Sequence, residues 1–291
     1  MPDTFTGGGP RIRDDDLTQL AAHGVPALPT PVVSGYVDNE NARIWYASMG
    51  AGPPVVLLHG GLGNAGNWGH QVPVLTAAGY TAIVIDSRGQ GRSSRDRRPY
   101  SYALMAADTR AVMDALGVAR AAFIGWSDGA DTALVLSRET PDRSAGVFFF
   151  ACNVDSTGTR PFQPSPVIDR IYRHHVEEYA ALSPVVGGFE AMRDDLGPMQ
   201  AGQPNYGPDT LGEIAVPVWS VLGEHDEFID RDHAQYIART IPRARFVLLP
   251  AVSHFAPLQR PDVFNREMLA FLSEVVSGAQ LKATHEERND P

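Results

Sequence analysis

The stretch AAFIGWSDGADTALVLSR, residues 121–138, decides the fold. Its first five residues form a continuous apolar run, which is typical of a strand buried on both faces of a parallel sheet. Gly129–Arg138 has a helical pattern, and between strand and helix GWSDG (residues 125–129) fits G-x-S-x-G. A pattern with three fixed positions can arise by chance on a surface turn, so the strand-to-helix placement is what predicts an exposed nucleophile at Ser127.

Similar apolar runs on both sides of this stretch extend the predicted sheet. The predicted strands are Val32–Val37, Ala42–Ser48, Pro54–His59, Tyr80–Asp86, Ala121–Gly125, Gly146–Ala151, Val216–Leu222 and Arg245–Leu249. Helical patterns lie between or after them at Trp68–Ala78, Tyr102–Leu116, Gly129–Arg138, Asp232–Thr240 and Val263–Val276. This alternation predicts right-handed βαβ crossovers and therefore an α/β fold with a doubly wound, mostly parallel sheet.

One part of the chain interrupts the alternation. Residues 156–214 contain helix-like pieces at Val167–Ala181 and Phe189–Leu196 and many prolines, but no apolar run that predicts a buried strand. We interpret them as a helical cap inserted into a core of residues 31–155 and 215–278. Residues 1–30 are predicted to be a loosely ordered N-terminal extension, and residues 279–291 a polar tail, neither carrying chemistry.

A serine hydroxyl is a weak nucleophile, so Ser127 requires a base within hydrogen-bond reach. His254 directly follows the last predicted strand, at the carboxyl edge of the sheet, where ligands bind in open α/β folds. His225 is the alternative base. His174 and His175 are predicted to lie on the surface of the cap.

An acid is expected to orient the base. Asp226 follows the strand Val216–Leu222 and would accept the imidazole N–H of His254, which leaves the other ring nitrogen facing the serine. Glu224 and Glu227 remain alternatives for this role.

The segment HGGLG, residues 59–63, follows the strand Pro54–His59. Its glycines let a backbone N–H point at the same place as the N–H of Asp128, which predicts an oxyanion hole. Gly61 is the first choice of donor and Leu62 the second. His59 is expected to brace the loop, not to act as a second base.

On these motifs the sequence resembles the α/β-hydrolase superfamily over Val32–Val276. HGGLG resembles the family's HG-x oxyanion loop, DSRGQGRS (residues 86–93) its turn after a strand, and GWSDG its nucleophile elbow. The order Ser127, Asp226, His254 is that of the family and differs from the chymotrypsin and subtilisin orders. Ala130 replaces a glycine that many relatives carry, which affects no catalytic residue.

The resemblance implies a branch with a serine nucleophile, similar to esterases and lactonases, with residues 156–214 as a lid and Asp86 and Arg88 as scaffold. It excludes the dehalogenases and epoxide hydrolases that use an Asp nucleophile. We expect hydrolysis of a carboxylic ester or lactone of small to medium size, with no metal and no organic cofactor. Hydrolytic C–C cleavage of a diketone, cofactor-free perhydrolase or haloperoxidase activity, and a ligand receptor with this fold remain alternatives.

Side chains near the predicted catalytic loops are candidates for binding the substrate. They are Leu62, Trp68, Trp126, Phe228 and Phe255. For each aromatic residue, packing in the core is an equally good interpretation.

Composition narrows the expected partners to a small-molecule substrate. A formal charge of −10 and a pI near 5.3 argue against binding to nucleic acid or to an anionic membrane surface. The single cysteine, Cys152, allows no internal disulfide, and no apolar run reaches the roughly 20 residues of a membrane span. A cytoplasmic location is therefore expected, whereas the oligomeric state does not follow from the sequence.

Overall fold

A computed structural model describes residues 17–286 and contains one eight-stranded sheet. Its strands are β1 Val33–Asn39, β2 Ala42–Gly50, β3 Pro54–Leu58, β4 Thr81–Ile85, β5 Ala121–Trp126, β6 Ser144–Phe150, β7 Val218–Gly223 and β8 Ala244–Leu249. They are ordered β1-β2-β4-β3-β5-β6-β7-β8, and β2 pairs antiparallel with β1 and β4 while the other pairs are parallel. The predicted fold class, a mostly parallel doubly wound sheet, is confirmed.

From β3 onward, one or more helices of the described chain follow each strand. The α-helices of the described residues are α1 Thr18–His23, α2 Val72–Ala77, α3 Tyr102–Ala115, α4 Asp128–Glu139, α5 Pro166–Leu182, α6 Phe189–Gly202, α7 Pro208–Gly212, α8 Arg231–Thr240, α9 Ala256–Gln259 and α10 Pro261–Glu286. Within residues 17–286, no helix is long and apolar enough to cross a membrane.

Two predicted helices differ from the structure. The helix predicted over Trp68–Ala78 is a 3-10 turn at Ala65–Trp68 followed by α2, because Asn64 and Asn67 cap the turn reciprocally and Pro73 fits only the first turn of the next helix. The last helix was predicted to end at Val276 but continues to Glu286, through a sequence in which good helix formers predominate.

Alternate residues of the central strands enter two hydrophobic cores. Val55 and Leu57 of β3 face the core covered by α2 and α10, whereas Val56 and Leu58 face the core covered by α3, α4 and α8. Because both faces are covered, β3 is apolar at every position and the neighbouring central strands are apolar at most positions. The parallel strands then bring the loops after β3, β5, β7 and β8 to one edge of the sheet.

The residues between β6 and β7 that were predicted to form a cap contain helices α5, α6 and α7. We call residues 156–214 the inserted segment. An isolated antiparallel bridge joins Thr159 of this segment to Ile229, which follows β7.

The N-terminal extension was predicted to be loosely ordered, which is wrong for its described part. Leu17 and Leu20 are buried in the core of α2 and α10, and Val25 and Leu28 pack against the same core. The carbonyl oxygen of Pro26 lies 1.9 Å from the position that a Cβ on Gly69 would occupy. The backbone at Pro26 can pack against residue 69 only because Gly69 has no side chain. Residues 1–16 and 287–291, which include parts of both predicted tails, lie outside the described residues.

Candidate active site

Ser127 stands at a sharp turn between β5 and α4, with a left-handed backbone at φ 52° and ψ −124°. The turn needs glycine on both sides. A Cβ on Gly125 would lie 2.4 Å from Cα of Ala130, and one on Gly129 would lie 2.0 Å from the carbonyl oxygen of Leu58. This is the geometry of a nucleophile elbow, which exposes the serine hydroxyl above the sheet edge.

Asp226 and His254 meet across the loops that follow β7 and β8. His254 Nδ1 lies 3.0 Å from Asp226 Oδ2 and 3.2 Å from Oδ1, and both residues are buried. Asp226 Oδ1 also accepts the backbone N–H groups of Phe228 at 2.9 Å and Ile229 at 2.8 Å. The carboxylate is therefore held by the backbone and fixes the imidazole through Nδ1.

The structure places the alternative acids and base elsewhere. Glu224 is exposed and accepts the N–H of Ala251, while Glu227 accepts the backbone N–H of His254 and not its ring. The His225 side chain is half exposed and lies beside Glu224. Neither glutamate therefore contacts the His254 ring as Asp226 does, and His225 does not take the place of His254.

Ser127 and His254 line the same cavity. No hydrogen bond joins Ser127 Oγ to His254 Nε2 among the described residues. Contacts between a nucleophile and its base are often longer before substrate binds, so shared access to the cavity is the relevant geometry.

The charges around His254 favour its protonated form. Burial opposes protonation, but the charge and hydrogen bond of Asp226 outweigh burial and, with Glu227 and Asp128, raise the pKa of His254 above its ordinary value. A histidine in this setting is a stronger base toward a hydroxyl proton.

Gly61 and Asp128 are the predicted donors of an oxyanion hole. Both residues line the cavity, and neither N–H donates a hydrogen bond within residues 17–286. A Cβ on Gly61 would lie 2.5 Å from Asp128 Oδ2, so a larger residue there would have to displace the Asp128 carboxylate. Leu62, the second choice of donor, has a left-handed backbone and also lines the cavity.

Both ring nitrogens of His59 are engaged. Nδ1 lies 2.7 Å from the carbonyl oxygen of Gly60, and Nε2 accepts the N–H of Ser87 at 2.9 Å. Burial lowers the pKa of His59, which agrees with a neutral ring that braces the glycine loop.

The Asp128 side chain forms a polar group that the sequence did not indicate. Its Oδ1 accepts the Tyr102 hydroxyl at 2.9 Å, and its Oδ2 accepts Gln200 Nε2 at 2.9 Å. Burial raises the pKa of the Asp128 carboxyl despite these hydrogen bonds. Tyr102 and Gln200 also line the cavity, and no local motif marks either residue.

The cavity has a volume of about 300 Å³ and is mostly apolar. Its apolar and aromatic lining comprises Leu62, Ile168, Ile171, Tyr172, Phe228, Ile229 and Phe255. Three of the residues predicted to bind substrate, Leu62, Phe228 and Phe255, are part of this lining, and Trp126 lines a smaller recess beside Ser127. The prediction for Trp68 is wrong, because its side chain is fully buried against Trp126 and Phe264.

His175 was predicted to lie on the cap surface, which is also wrong. It is only 6% exposed and lines both the cavity and the recess. The buried residues of α5 are Val167, Ile171, His175 and Tyr179, spaced four apart. This periodicity is visible in the sequence and would have placed His175 on the inner face of the helix.

No group of three or more His, Cys, Asp or Glu residues within residues 17–286 is arranged to hold a metal ion. Cys152 lines the cavity, where its Sγ lies 3.2 Å from Asp131 Oδ2. Cys152 therefore has a polar partner beside the cavity.

The known proteins to which this chain is similar include several hydrolases. A family model described as the alpha/beta hydrolase fold matches residues 53–180, which include HGGLG and GWSDG. A protein of Azorhizobium caulinodans provisionally named the carbamate hydrolase RutD is 28% identical over 262 residues, covering 82% of this chain and 98% of its own. The 2-hydroxy-6-oxo-6-phenylhexa-2,4-dienoate hydrolase of Burkholderia cepacia is 26% identical over 266 residues, covering 80% of this chain and 92% of its own.

A solved structure has a similar fold. Est816, described as an N-acyl homoserine lactone degrading enzyme, has a TM-score of 0.69 and 27% identity. The match covers 81% of this chain and 100% of Est816.

Proposed function

Because this chain belongs to the α/β-hydrolase superfamily, we propose that it is a serine hydrolase that cleaves a carboxylic ester or lactone of a small to medium substrate. One observation carries the proposal. The Asp226 carboxylate holds His254 through Nδ1, and His254 shares a cavity with Ser127 and with the unbonded N–H groups of Gly61 and Asp128.

Acylation begins when Ser127 Oγ attacks the carbonyl carbon and its proton passes to His254 Nε2. Asp226 stabilises the resulting imidazolium, and the N–H groups of Gly61 and Asp128 donate to the developing oxyanion. The C–O bond then breaks, and His254 gives its proton to the leaving oxygen. In a lactone that oxygen stays attached to the acyl group.

Deacylation repeats these steps with water. His254 Nε2 takes a proton from the attacking water, the second tetrahedral intermediate collapses, and Ser127 regains its proton. Every step uses residues of this chain, so the mechanism needs no metal and no organic cofactor.

The cavity supports a substrate of limited size. A volume of about 300 Å³ is at the lower end of the range for small-molecule sites, and the apolar lining suits an aliphatic or aromatic acyl group. The inserted segment contributes Ile168, Ile171 and Tyr172 to this lining, which supports its role as a cap. The lactone option is supported by the similarity to Est816.

Hydrolytic C–C cleavage is the second candidate. It is supported by the match over 80% of this chain to the Burkholderia cepacia hydrolase, whose name describes a substrate with a ketone conjugated to a dienoate. A vinylogous 1,5-diketone assayed beside an ester separates the two candidates.

The test is hydrolysis of p-nitrophenyl esters and aliphatic lactones of increasing chain length by the intact protein and by Ser127→Ala. We expect turnover that Ser127→Ala abolishes, with its folding checked by thermal unfolding. Ser273→Ala, on the exposed side of α10, is a matched serine control and should keep full activity.

A fluorophosphonate probe gives a second readout. It should label the peptide that contains Ser127 in the intact protein and leave Ser127→Ala unlabelled. Turnover that persists in Ser127→Ala, or a folded protein that hydrolyses neither substrate class and takes no label, would contradict the proposal.

A further inference from the structure

A small recess opens beside Ser127, next to the main cavity. Its volume is about 40 Å³, and it is bounded by Gly60, Asn67, Trp126, His175 and His254 in addition to Ser127. A water molecule occupies about 30 Å³ in the liquid. The recess therefore admits a water but is too small for an acyl chain.

Two imidazoles line this recess. His254 belongs to the loop after β8, and its Nδ1 is held by Asp226. His175 belongs to α5 in the inserted segment, and its Nδ1 lies 3.4 Å from Glu178 Oε2. In each ring the carboxylate holds the Nδ1 edge, so the Nε2 edge points away from the carboxylate and carries a lone pair when the ring is neutral.

This pairing suits a water molecule, which has two hydrogens to donate. We propose that the recess holds the hydrolytic water of deacylation, bound between His175 Nε2 and His254 Nε2. The inference rests on the proposed acyl-enzyme mechanism. With both hydrogens donated to the two rings, an oxygen lone pair faces the acyl carbon on Ser127, and the proton passes to His254 as the new C–O bond forms.

Glu178 is the positioning residue for His175. Its carboxylate accepts Asn67 Nδ2 at 3.1 and 3.2 Å and lies 3.2 Å from His174 Nε2. Asn67 in turn accepts the backbone N–H of Asn64, next to the glycine loop. The orientation of His175 is thus tied to the loop that carries the oxyanion donor.

The experiment separates acylation from deacylation. Pre-steady-state hydrolysis of a short-chain p-nitrophenyl ester is followed in the intact protein and in His175→Phe, which keeps a planar ring but lacks both nitrogens. We expect His175→Phe to release about one p-nitrophenol per active site at close to the normal acylation rate. Its steady rate should then be roughly ten- to hundred-fold below that of the intact protein, because the water is misplaced.

Two variants control this result. Glu177→Gln changes an exposed side chain on the same helix that does not line the recess, and should show no slow second phase. His175→Gln restores a polar acceptor and should recover part of the deacylation rate. Hydroxylamine, a nucleophile that can replace water, should accelerate turnover of His175→Phe more than that of the intact protein.

The outcomes are distinguishable. A His175→Phe variant that slows acylation and deacylation equally, or changes neither, overturns the water site, and His175→Gln is measured in the same way in case the phenylalanine variant misfolds. If the intact protein shows no turnover dependent on Ser127, the proposed function fails, and the water site fails with it.

Discussion

Two pairs of a carboxylate and an imidazole lie around the same serine, one built on the sheet edge and one on the inserted segment. Asp226 and His254 come from loops after neighbouring strands, and Asp226 is also held by two backbone N–H groups. Glu178 and His175 lie on one helix, three residues apart, and the other partners of Glu178 are side chains. The Nδ1 to carboxylate distance is 3.0 Å in the first pair and 3.4 Å in the second.

The two pairs differ in how firmly each ring is oriented. Backbone donors at the end of a sheet move little, whereas side chains on a helix can change rotamer and move with the segment. The pair of Asp226 and His254, which we call the sheet pair, suits the chemical step itself, because that step requires a fixed tautomer. The pair of Glu178 and His175, which we call the helix pair, suits binding of a small molecule such as water.

Replacing Asp226 with asparagine should produce the largest effect. The amide oxygen introduced at this position would still accept the N–H groups of Phe228 and Ile229, but the amide nitrogen would donate to His254 Nδ1. That contact favours the tautomer with a proton on Nε2, which is unable to accept the proton of Ser127. We expect kcat of Asp226→Asn for a p-nitrophenyl ester to fall roughly 10⁴-fold, measured by steady-state kinetics.

The matched control is Glu224→Gln, two residues earlier. Glu224 is exposed, and a glutamine oxygen can still accept the N–H of Ala251, so this variant should stay within about two-fold of the intact protein. A loss of less than ten-fold in Asp226→Asn, with unchanged thermal unfolding, would show that His254 is oriented by something else.

Breaking the helix pair should have a smaller effect, seen in stability. Burial opposes ionisation of Glu178, but hydrogen bonds to His174 and His175 and their charges lower its pKa below 4.5. The hydrogen bond with Glu178 likewise raises the pKa of His174 above 6.5. Glu178 contributes to stability above pH 4.5, and its contribution is lost as the pH falls through its lowered pKa. His174 contributes to stability below pH 6.5, and its contribution is lost as the pH rises through its raised pKa.

Both contributions are complete between about pH 4.5 and 6.5. In this window we expect Glu178→Gln to lower the free energy of unfolding by about 1 kcal/mol, or about 2 to 4 °C in Tm. The difference from the intact protein should shrink on either side, as measured by thermal unfolding over a pH series. Glu177→Gln, at an exposed neighbouring position, should show no such window, and a difference independent of pH in Glu178→Gln would contradict the ion pair.

The contrast between the sheet edge and the inserted segment also explains which parts of the site could be predicted from the sequence. Ser127 and Asp226 each follow a buried strand, and His254 follows the edge strand β8. Parallel strands bring their carboxyl ends to one edge whatever the details of packing. The short motifs GWSDG and HGGLG carry their own backbone geometry. The sheet side of the site was therefore predictable from local patterns.

The other side of the site depends on tertiary packing. His175 and Gln200 reach the cavity only because α5 and α6 fold over the sheet edge, and no motif states which face of those helices turns inward. Trp68 shows the converse error, since it follows the glycine loop in sequence but its indole turns into the core. Leu17 and Leu20 stand among polar and Gly-rich residues, so their burial depends on a surface that only the folded core provides.

Removing the charge of Asp128 should give the smallest effect, and it tests which carboxylates set the pKa of His254. His254 acts as a base only when neutral, so kcat/KM should rise with pH through its pKa, which lies above 6.5. Burial lowers that pKa, and Asp226 and Glu227 raise it more than Asp128 does. We therefore expect Asp128→Asn to move the midpoint of the acid limb to lower pH by less than about one unit.

The midpoint, and not the plateau, is the readout, because residue 128 also supplies an oxyanion donor. An amide at 128 can accept the Tyr102 hydroxyl with its oxygen and donate with its nitrogen to Gln200 Oε1 once the Gln200 amide turns over, so both partners keep a hydrogen bond. Glu227→Gln is the comparison variant and should shift the midpoint in the same direction and further. If Glu227→Gln shifts the midpoint and Asp128→Asn does not, the buried carboxyl of Asp128 is already protonated when His254 titrates, and the charge that tunes His254 comes from Asp226 and Glu227 alone.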